Sequence, residues 1–182
     1  MELFRNIPLL VQLFLWFFVL PELLPKALGD WYTGLVRGRR DASAEIRQQV
    51  ATLTAGAATP LAKVEALARF VQSDIRYVAI ELGIGGFQPH PAVDVFRHRY
   101  GDCKDKSVLL TALLRALGAR ACPVLVAENW REAVRRLLPS PGAFGHVVVA
   151  FAVDGERHVV DPTLIGQRGD LAHRVSPPYL AG

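Results

Sequence analysis

The stretch YGDCKDKSVLLTALLRALG, residues 100–118, predicts a helix with a cysteine in its first turn. Asp102 is a good helix N-cap, because its short carboxylate can accept hydrogen bonds from the first free N–H groups of the helix. Apolar residues then recur at helical spacing as far as Leu117, and Gly118 is typical of the residue that follows a helix C-terminus. The sequence therefore predicts a helix over Asp102 to Leu117 that begins at Cys103.

The position of Cys103 indicates a nucleophile. A helix N-terminus offers unpaired N–H groups and the positive end of the helix dipole, and both stabilise a thiolate. The same N–H groups could also stabilise an oxyanion on a carbonyl that the sulfur attacks. The competing interpretation is a small buried residue without a chemical role. Cys122 fits that second description, because it lies in an apolar strand pattern from Ala121 to Val126 with no charge or cap beside it, and we interpret it as inert core.

A predicted hairpin supplies the base and the orienting group that a cysteine nucleophile needs. Asp154-Gly155 is a dipeptide favoured by two-residue type I′ turns, and apolar strand patterns flank it on both sides. Such a turn places Asp161 opposite Val148, so that His146 is the diagonal neighbour of Asp161 on the same face of the sheet. The alternatives are a strand-edge histidine bonded to a backbone carbonyl and an aspartate that only initiates a turn.

The rest of the chain predicts helices before Cys103 and strands after it. An α+β fold follows, in which an antiparallel sheet packs against the Cys103 helix. The predicted helices cover Ala44 to Leu53, residues 60–75 with Thr59 as the cap, Ala92 to Arg97 and Trp130 to Leu138. The predicted extended segments cover Tyr77 to Leu82, Ala121 to Val126, His146 to Val153 and Arg157 to Asp161. The glycine-rich run over Gly83 to Gly86 is either a loop beside the substrate cleft or an ordinary turn.

Composition and charge exclude several classes of protein. The chain has 182 residues, of which 51% are hydrophobic and 21% charged, which indicates one folded domain with an appended segment rather than a disordered chain. The net charge is +4, but the basic residues are scattered and the single basic run, Arg37 to Arg40, has no interleaved aromatic residue, so we expect no nucleic-acid partner. The 2 cysteines and 5 histidines show no ligand spacing, and we expect no metal and no cofactor.

The first thirty or so residues differ in composition from the rest. Residues 7–20, IPLLVQLFLWFFVL, are an apolar run that is short for a membrane span, which needs about 20 residues. Arg5 precedes the run and Ala27-Leu28-Gly29 offers a cleavage site, as in a secretory signal. A buried or amphipathic helix and a truncated gene start are the alternatives. We predict an apolar N-terminal segment over residues 1–30, a domain over residues 31–182, and a location in the periplasm or cell envelope with membrane association through the segment.

These motifs together resemble the transglutaminase-like superfamily, and within it a bacterial branch whose core follows an N-terminal β-rich domain. The resemblance covers the chain from about Trp31 to Leu171 and implies a papain-like α+β fold with a triad of Cys103, His146 and Asp161. It is carried by YGDCKDKS at residues 100–107, Ile75-Arg76-Tyr77, FQPHPA at residues 87–92, Phe144-Gly145-His146 and Asp161-Pro162-Thr163.

The resemblance also places Tyr77 near the oxyanion site, and two departures from the family pattern accompany it. Gly145 stands where this branch commonly has asparagine before the histidine. No β-rich pattern precedes the core, which is consistent with a fragment or with a domain that has another means of delivery.

The predicted activity is cysteine-dependent acyl transfer on the amides of a protein or peptide substrate. Cys103 attacks the carbonyl, His146 takes and returns the proton, and Asp161 holds the tautomer of the imidazole, so that the reaction passes through a thioester. If an amine resolves the thioester the enzyme is a transglutaminase, and if water does so it is an amidase or peptidase. A non-catalytic interaction module on the same fold is the alternative, because a fold does not fix a function.

Overall fold

The computed structural model describes residues 20–80, 83–129 and 140–166, and the order of elements within them is that of an α+β fold. Helices come first, a three-stranded antiparallel sheet comes last, and the helix that begins at Cys103 lies between them. The predicted fold class is confirmed. The elements are α1 (Leu20–Val36), α2 (Ala44–Thr54), α3 (Pro60–Asp74), β1 (Arg76–Tyr77), α4 (Ala92–His98), β2 (Tyr100–Gly101), α5 (Cys103–Ala116), β3 (Arg120–Val126), β4 (His146–Val153) and β5 (Glu156–Val160), with short 3₁₀ turns over Gly83–Gly86 and Pro141–Ala143.

The two caps expected from the sequence start α3 and α5. The Thr59 hydroxyl accepts a hydrogen bond from the Ala62 N–H at 3.1 Å, immediately before Pro60. Asp102 caps α5, and the side chain of Asp105 returns a bond to the Asp102 N–H at 3.3 Å, which completes a capping box. The start of α5 is therefore held by side chains on both sides of Cys103.

Helix α5 is the centre of the fold. Every residue from Cys103 to Leu114 is buried, because α2, α3 and α4 pack on one side of the helix and β3 and β4 on the other. Burial on all sides explains why the sequence of α5 is apolar beyond its first turn.

The β4–β5 hairpin has the register that the Asp154-Gly155 turn predicts. Val153 pairs with Glu156 and Val149 with Val160. Asp154 and Gly155 have φ angles of 51° and 83°, and a type I′ turn requires positive φ at both positions. Continuing this register one residue beyond β5 brings Asp161 opposite Val148.

Strand β3 differs from the expectation of a fully buried strand. Helix α5 covers one face of the sheet, so Ala121 and Leu125 pack against the core while Cys122 and Val124 point the other way. Cys122 is exposed, and its interpretation as inert core is wrong. Periodicity alone does not show which residues of a short apolar run lie on the covered face.

The extended run after α3 is shorter than expected. Arg76 and Tyr77 pair in parallel with Tyr100 and Gly101, and residues 78–80 follow without regular structure. Residues 81–82 and the predicted helix over Trp130 to Leu138 lie outside the described residues.

Helix α1 crosses the predicted boundary between residues 30 and 31. Tyr32 and Val36, near its C-terminal end, belong to the hydrophobic core. Most of the apolar run over residues 7–20 lies outside the described residues, so the N-terminal segment stays a prediction. No helix in the described part of the chain has the length and hydropathy to cross a bilayer.

Candidate active site

A cavity of about 320 Å³ lies at the N-terminus of α5, between that helix, the start of β4 and the end of α1. The Cys103 side chain lines it and is only 6% exposed. His146, the first residue of β4, lines the same cavity. Its other lining residues are Trp31, Tyr32, Gly83, Gly86, Phe87, Lys104, Leu125, Pro141, Phe144, Gly145 and Val147.

His146 and Asp161 are joined directly, as the hairpin register predicts. The imidazole Nε2 lies 2.7 Å from Asp161 Oδ2, and both side chains are buried. The second carboxylate oxygen, Oδ1, accepts from the Thr163 N–H at 2.8 Å and from its hydroxyl at 2.7 Å. The carboxylate is therefore fixed at both oxygens and can hold the imidazole in one orientation.

Cys103 is hydrogen-bonded to His146 on the other side of the ring. Because Nε2 faces Asp161, Nδ1 is the ring nitrogen left to face the sulfur. Burial by itself lowers the pKa of His146, but the hydrogen bonds from Asp161 and Cys103 outweigh it and raise that pKa to about 10. The ring is thus an imidazolium at neutral pH and places a positive charge beside the Cys103 sulfur.

A known family matches the part of the sequence that contains Cys103, His146 and Asp161. Residues 47–162 match the transglutaminase-like superfamily, which is more than half of the chain and includes the three side chains just described. The chain belongs to the transglutaminase-like superfamily. This confirms the resemblance drawn from the motifs, although the matched region is narrower than residues 31–171.

Two solved structures share the fold of this transglutaminase-like chain. A "putative protease" from Parabacteroides distasonis has a TM-score of 0.61 at 18% identity, covering 74% of this chain and 26% of that one. A "putative cysteine protease" from Cytophaga hutchinsonii has a TM-score of 0.55 at 19% identity, covering 78% and 44%. At such identities the similarity shows the fold alone, and this chain spans less than half of either protein.

A separate similarity is confined to a short segment. Over 31 residues the chain is 61% identical to the glutamate/aspartate import permease protein GltJ of Escherichia coli, which is 17% of this chain and 13% of the permease.

The first turn of α5 offers fewer free donors than the sequence indicated. The Asp102 carboxylate accepts from the N–H groups of Lys104 and Asp105, and its carbonyl accepts from the Lys106 N–H. Within the described residues, the N–H of Cys103 itself is therefore the first-turn donor left to face an oxyanion. One backbone donor is fewer than the pair that usually forms an oxyanion hole.

A buried network behind Asp161 was missed from the sequence. Gln72 on α3 donates from Nε2 to the Asp161 carbonyl at 2.9 Å, and Lys106 donates from Nζ to the Ile75 carbonyl at 2.8 Å. Lys106 is fully buried, and this burial lowers its pKa to about 8 against the opposing pull of Asp161. A signal was available, because Lys106 shares a helical face with the apolar Leu110 and Leu113 at i+4 and i+7.

Aromatic and glycine residues form the walls of the cavity. Trp31 and Phe87 meet edge to face with centroids 5.6 Å apart. Gly83 and Gly86 line the cavity, as expected of the glycine-rich loop, whereas Tyr77 is 47% exposed and is not a lining residue. The walls of the cavity therefore combine aromatic rings and glycines with the polar groups of Lys104 and His146.

We expect Cys103 to be alkylated faster than Cys122 at neutral pH, despite its burial. The pKa of His146 is raised to about 10, so the Cys103 sulfur has a positively charged neighbour at neutral pH, and such a neighbour makes a cysteine more reactive. Peptide mapping after brief iodoacetamide treatment measures both rates in one sample, and equal labelling at neutral pH would contradict the activation of Cys103.

Proposed function

We propose that this protein is a cysteine acyl-transfer enzyme that acts on the amides of proteins or peptides. The observation that carries the proposal is the continuous array from Cys103 through His146 to Asp161 at the edge of the cavity beside the N-terminus of α5. Membership of the transglutaminase-like superfamily supports a cysteine-dependent enzyme in general terms. The array adds a nucleophile, an acid–base group and an orienting group in the order that acyl transfer needs.

In the acylation step, the Cys103 thiolate forms an S–C bond to the amide carbonyl carbon, and the π pair of the carbonyl moves onto oxygen. The His146 imidazolium then gives its proton to the amide nitrogen as the C–N bond breaks. An amine leaves and a thioester remains on Cys103. Asp161 keeps the ring oriented, because its Oδ2 stays bonded to Nε2 while Nδ1 exchanges the proton.

In the second step, water or an amine attacks the thioester while His146 accepts its proton, and the C–S bond breaks. We propose that water is the main acceptor. Gly145 lines the cavity with no side chain, and a Cβ there would meet only Asn129 Nδ2, at 4.0 Å. A site with this space is open to water beside the thioester, and exclusion of water is what transamidation requires.

The experiment offers a glutamine-containing peptide together with an excess of a primary amine, and mass spectrometry counts the products. We expect deamidated or cleaved peptide to exceed amine-linked peptide. Mainly amine-linked peptide would make the enzyme a transglutaminase, which contradicts the choice of water but keeps acyl transfer. No product of either kind across a broad peptide library would contradict the enzyme and favour the non-catalytic interaction module.

A further inference from the structure

The Tyr32 hydroxyl is a buried polar group that the mechanism above does not use. Tyr32 lies on α1 and is only 6% exposed. Its oxygen is buried, and no atom of the described residues forms a hydrogen bond with it. Buried hydroxyl groups in folded proteins are almost always paired, so an unpaired one calls for an explanation.

The surroundings of this hydroxyl point to the reacting centre. Tyr32 lines the same cavity as Cys103 and His146. Burial first, and then the negative charges of Cys103, Asp102 and Asp105, raise the pKa of Tyr32 above its ordinary value. The phenol therefore keeps its proton at neutral pH, and its O–H is available as a hydrogen-bond donor.

Within the described residues, the first turn of α5 supplies only one backbone donor to the site. Asp102 takes the N–H groups of Lys104 and Asp105, which leaves the Cys103 N–H as the first-turn donor for an oxyanion. Tyr77, which the family resemblance suggested for this role, is half-exposed and is not one of the residues that line the cavity.

We propose that Tyr32 is a catalytic residue whose hydroxyl donates a hydrogen bond to the carbonyl oxygen that Cys103 attacks. The proposal rests on the proposed acyl-transfer function. As the S–C bond forms and the π pair moves onto oxygen, the Tyr32 O–H and the Cys103 N–H bind the negative oxygen. When the C–N bond breaks, the carbonyl re-forms, and the phenol proton stays on Tyr32 throughout.

The test compares two reactions of Cys103 in the full chain and in Tyr32→Phe. Acylation by p-nitrophenyl acetate passes through an oxyanion, whereas alkylation by iodoacetamide displaces iodide without one. We expect the acylation rate of Tyr32→Phe to fall about a hundredfold or more, as when one oxyanion donor is removed, while the alkylation rate stays unchanged. The melting temperature should not fall, since the lost hydroxyl makes no bond to the described residues.

Two further tyrosines complete the design. Tyr100→Phe is the matched control, because Tyr100 lies on β2, stacks on His98 and does not line the cavity, and neither rate should change. Tyr77→Phe tests the rival assignment, and a larger loss of acylation there than in Tyr32→Phe would overturn the proposal.

The remaining outcomes separate the two proposals. Normal acylation in Tyr32→Phe, or an equal fall in both rates, overturns the role of Tyr32 and leaves acyl transfer standing. A full chain whose Cys103 is alkylated by iodoacetamide but never acylated by p-nitrophenyl acetate overturns both.

Discussion

Replacement of Cys103 by alanine is expected to reduce acyl transfer by about 10⁶-fold, which is the loss found when a nucleophile is removed from a hydrolase triad. Cys103 supplies the attacking atom in the proposed mechanism, so its replacement removes the S–C bond through which the reaction passes. Alanine has high helix propensity and fits the first turn of α5, so the fold should be retained. The rate of release of nitrophenolate from p-nitrophenyl acetate, or of amine from a peptide substrate, measures the effect.

Cys122→Ala is the control for that experiment. Cys122 is exposed on the outer face of β3, away from the cavity, and its loss should leave the rate unchanged. A rate in Cys103→Ala within tenfold of the full chain's rate would assign the nucleophile elsewhere and contradict the proposed mechanism.

Asp161→Asn is expected to lower the turnover rate by about 10⁴-fold while the protein stays folded. Asparagine retains an oxygen that can accept from Thr163, whose N–H and hydroxyl now bond to Oδ1. Its NH₂ group then replaces Oδ2 beside His146 Nε2 and forces the ring proton onto Nδ1, which faces Cys103. A ring with its proton on that nitrogen cannot accept another proton from the thiol, so both the turnover rate and the alkylation rate of Cys103 should fall.

Asp154→Asn is the matched control on the same hairpin. Asp154 has a φ of 51° in the exposed turn, where asparagine is equally well accommodated, and its turnover should equal that of the unchanged chain. Near-normal turnover in a folded Asp161→Asn variant would restrict Asp161 to its bond with Thr163 and remove it from the catalytic array.

The features that could be predicted from the sequence are those set by neighbours in the chain. Asp102 caps α5 through groups within three residues of it, and Asp154-Gly155 sets the register of the hairpin through its own backbone angles. That register carries far enough to bring His146 to Asp161, because side chains two residues apart share a face of a strand.

The features that could not be predicted depend on which distant elements pack together. Tyr32 reaches the cavity because α1 lies beside the start of α5, and Gln72 reaches Asp161 across 89 residues of sequence. Neither contact leaves a periodic signal in the chain. Cys122 is exposed because α5 covers only one face of the sheet. A short apolar run in the sequence does not show whether one face of the strand or both are covered.

Helix α1 contributes to the cavity but lies outside the residues that match the family. The family pattern begins at residue 47, yet Trp31 and Tyr32, which wall the cavity, lie before it. A graft of residues 47–162 onto another scaffold would therefore carry over the proposed nucleophile, Cys103, and the proposed base, His146, without the aromatic wall. The residues that match the family thus do not include all the residues that form the cavity. A shift of α1 along its axis by one helical turn, about 5.4 Å, would move Trp31 and Tyr32 away from the cavity together, so the position of this helix sets the shape of the pocket.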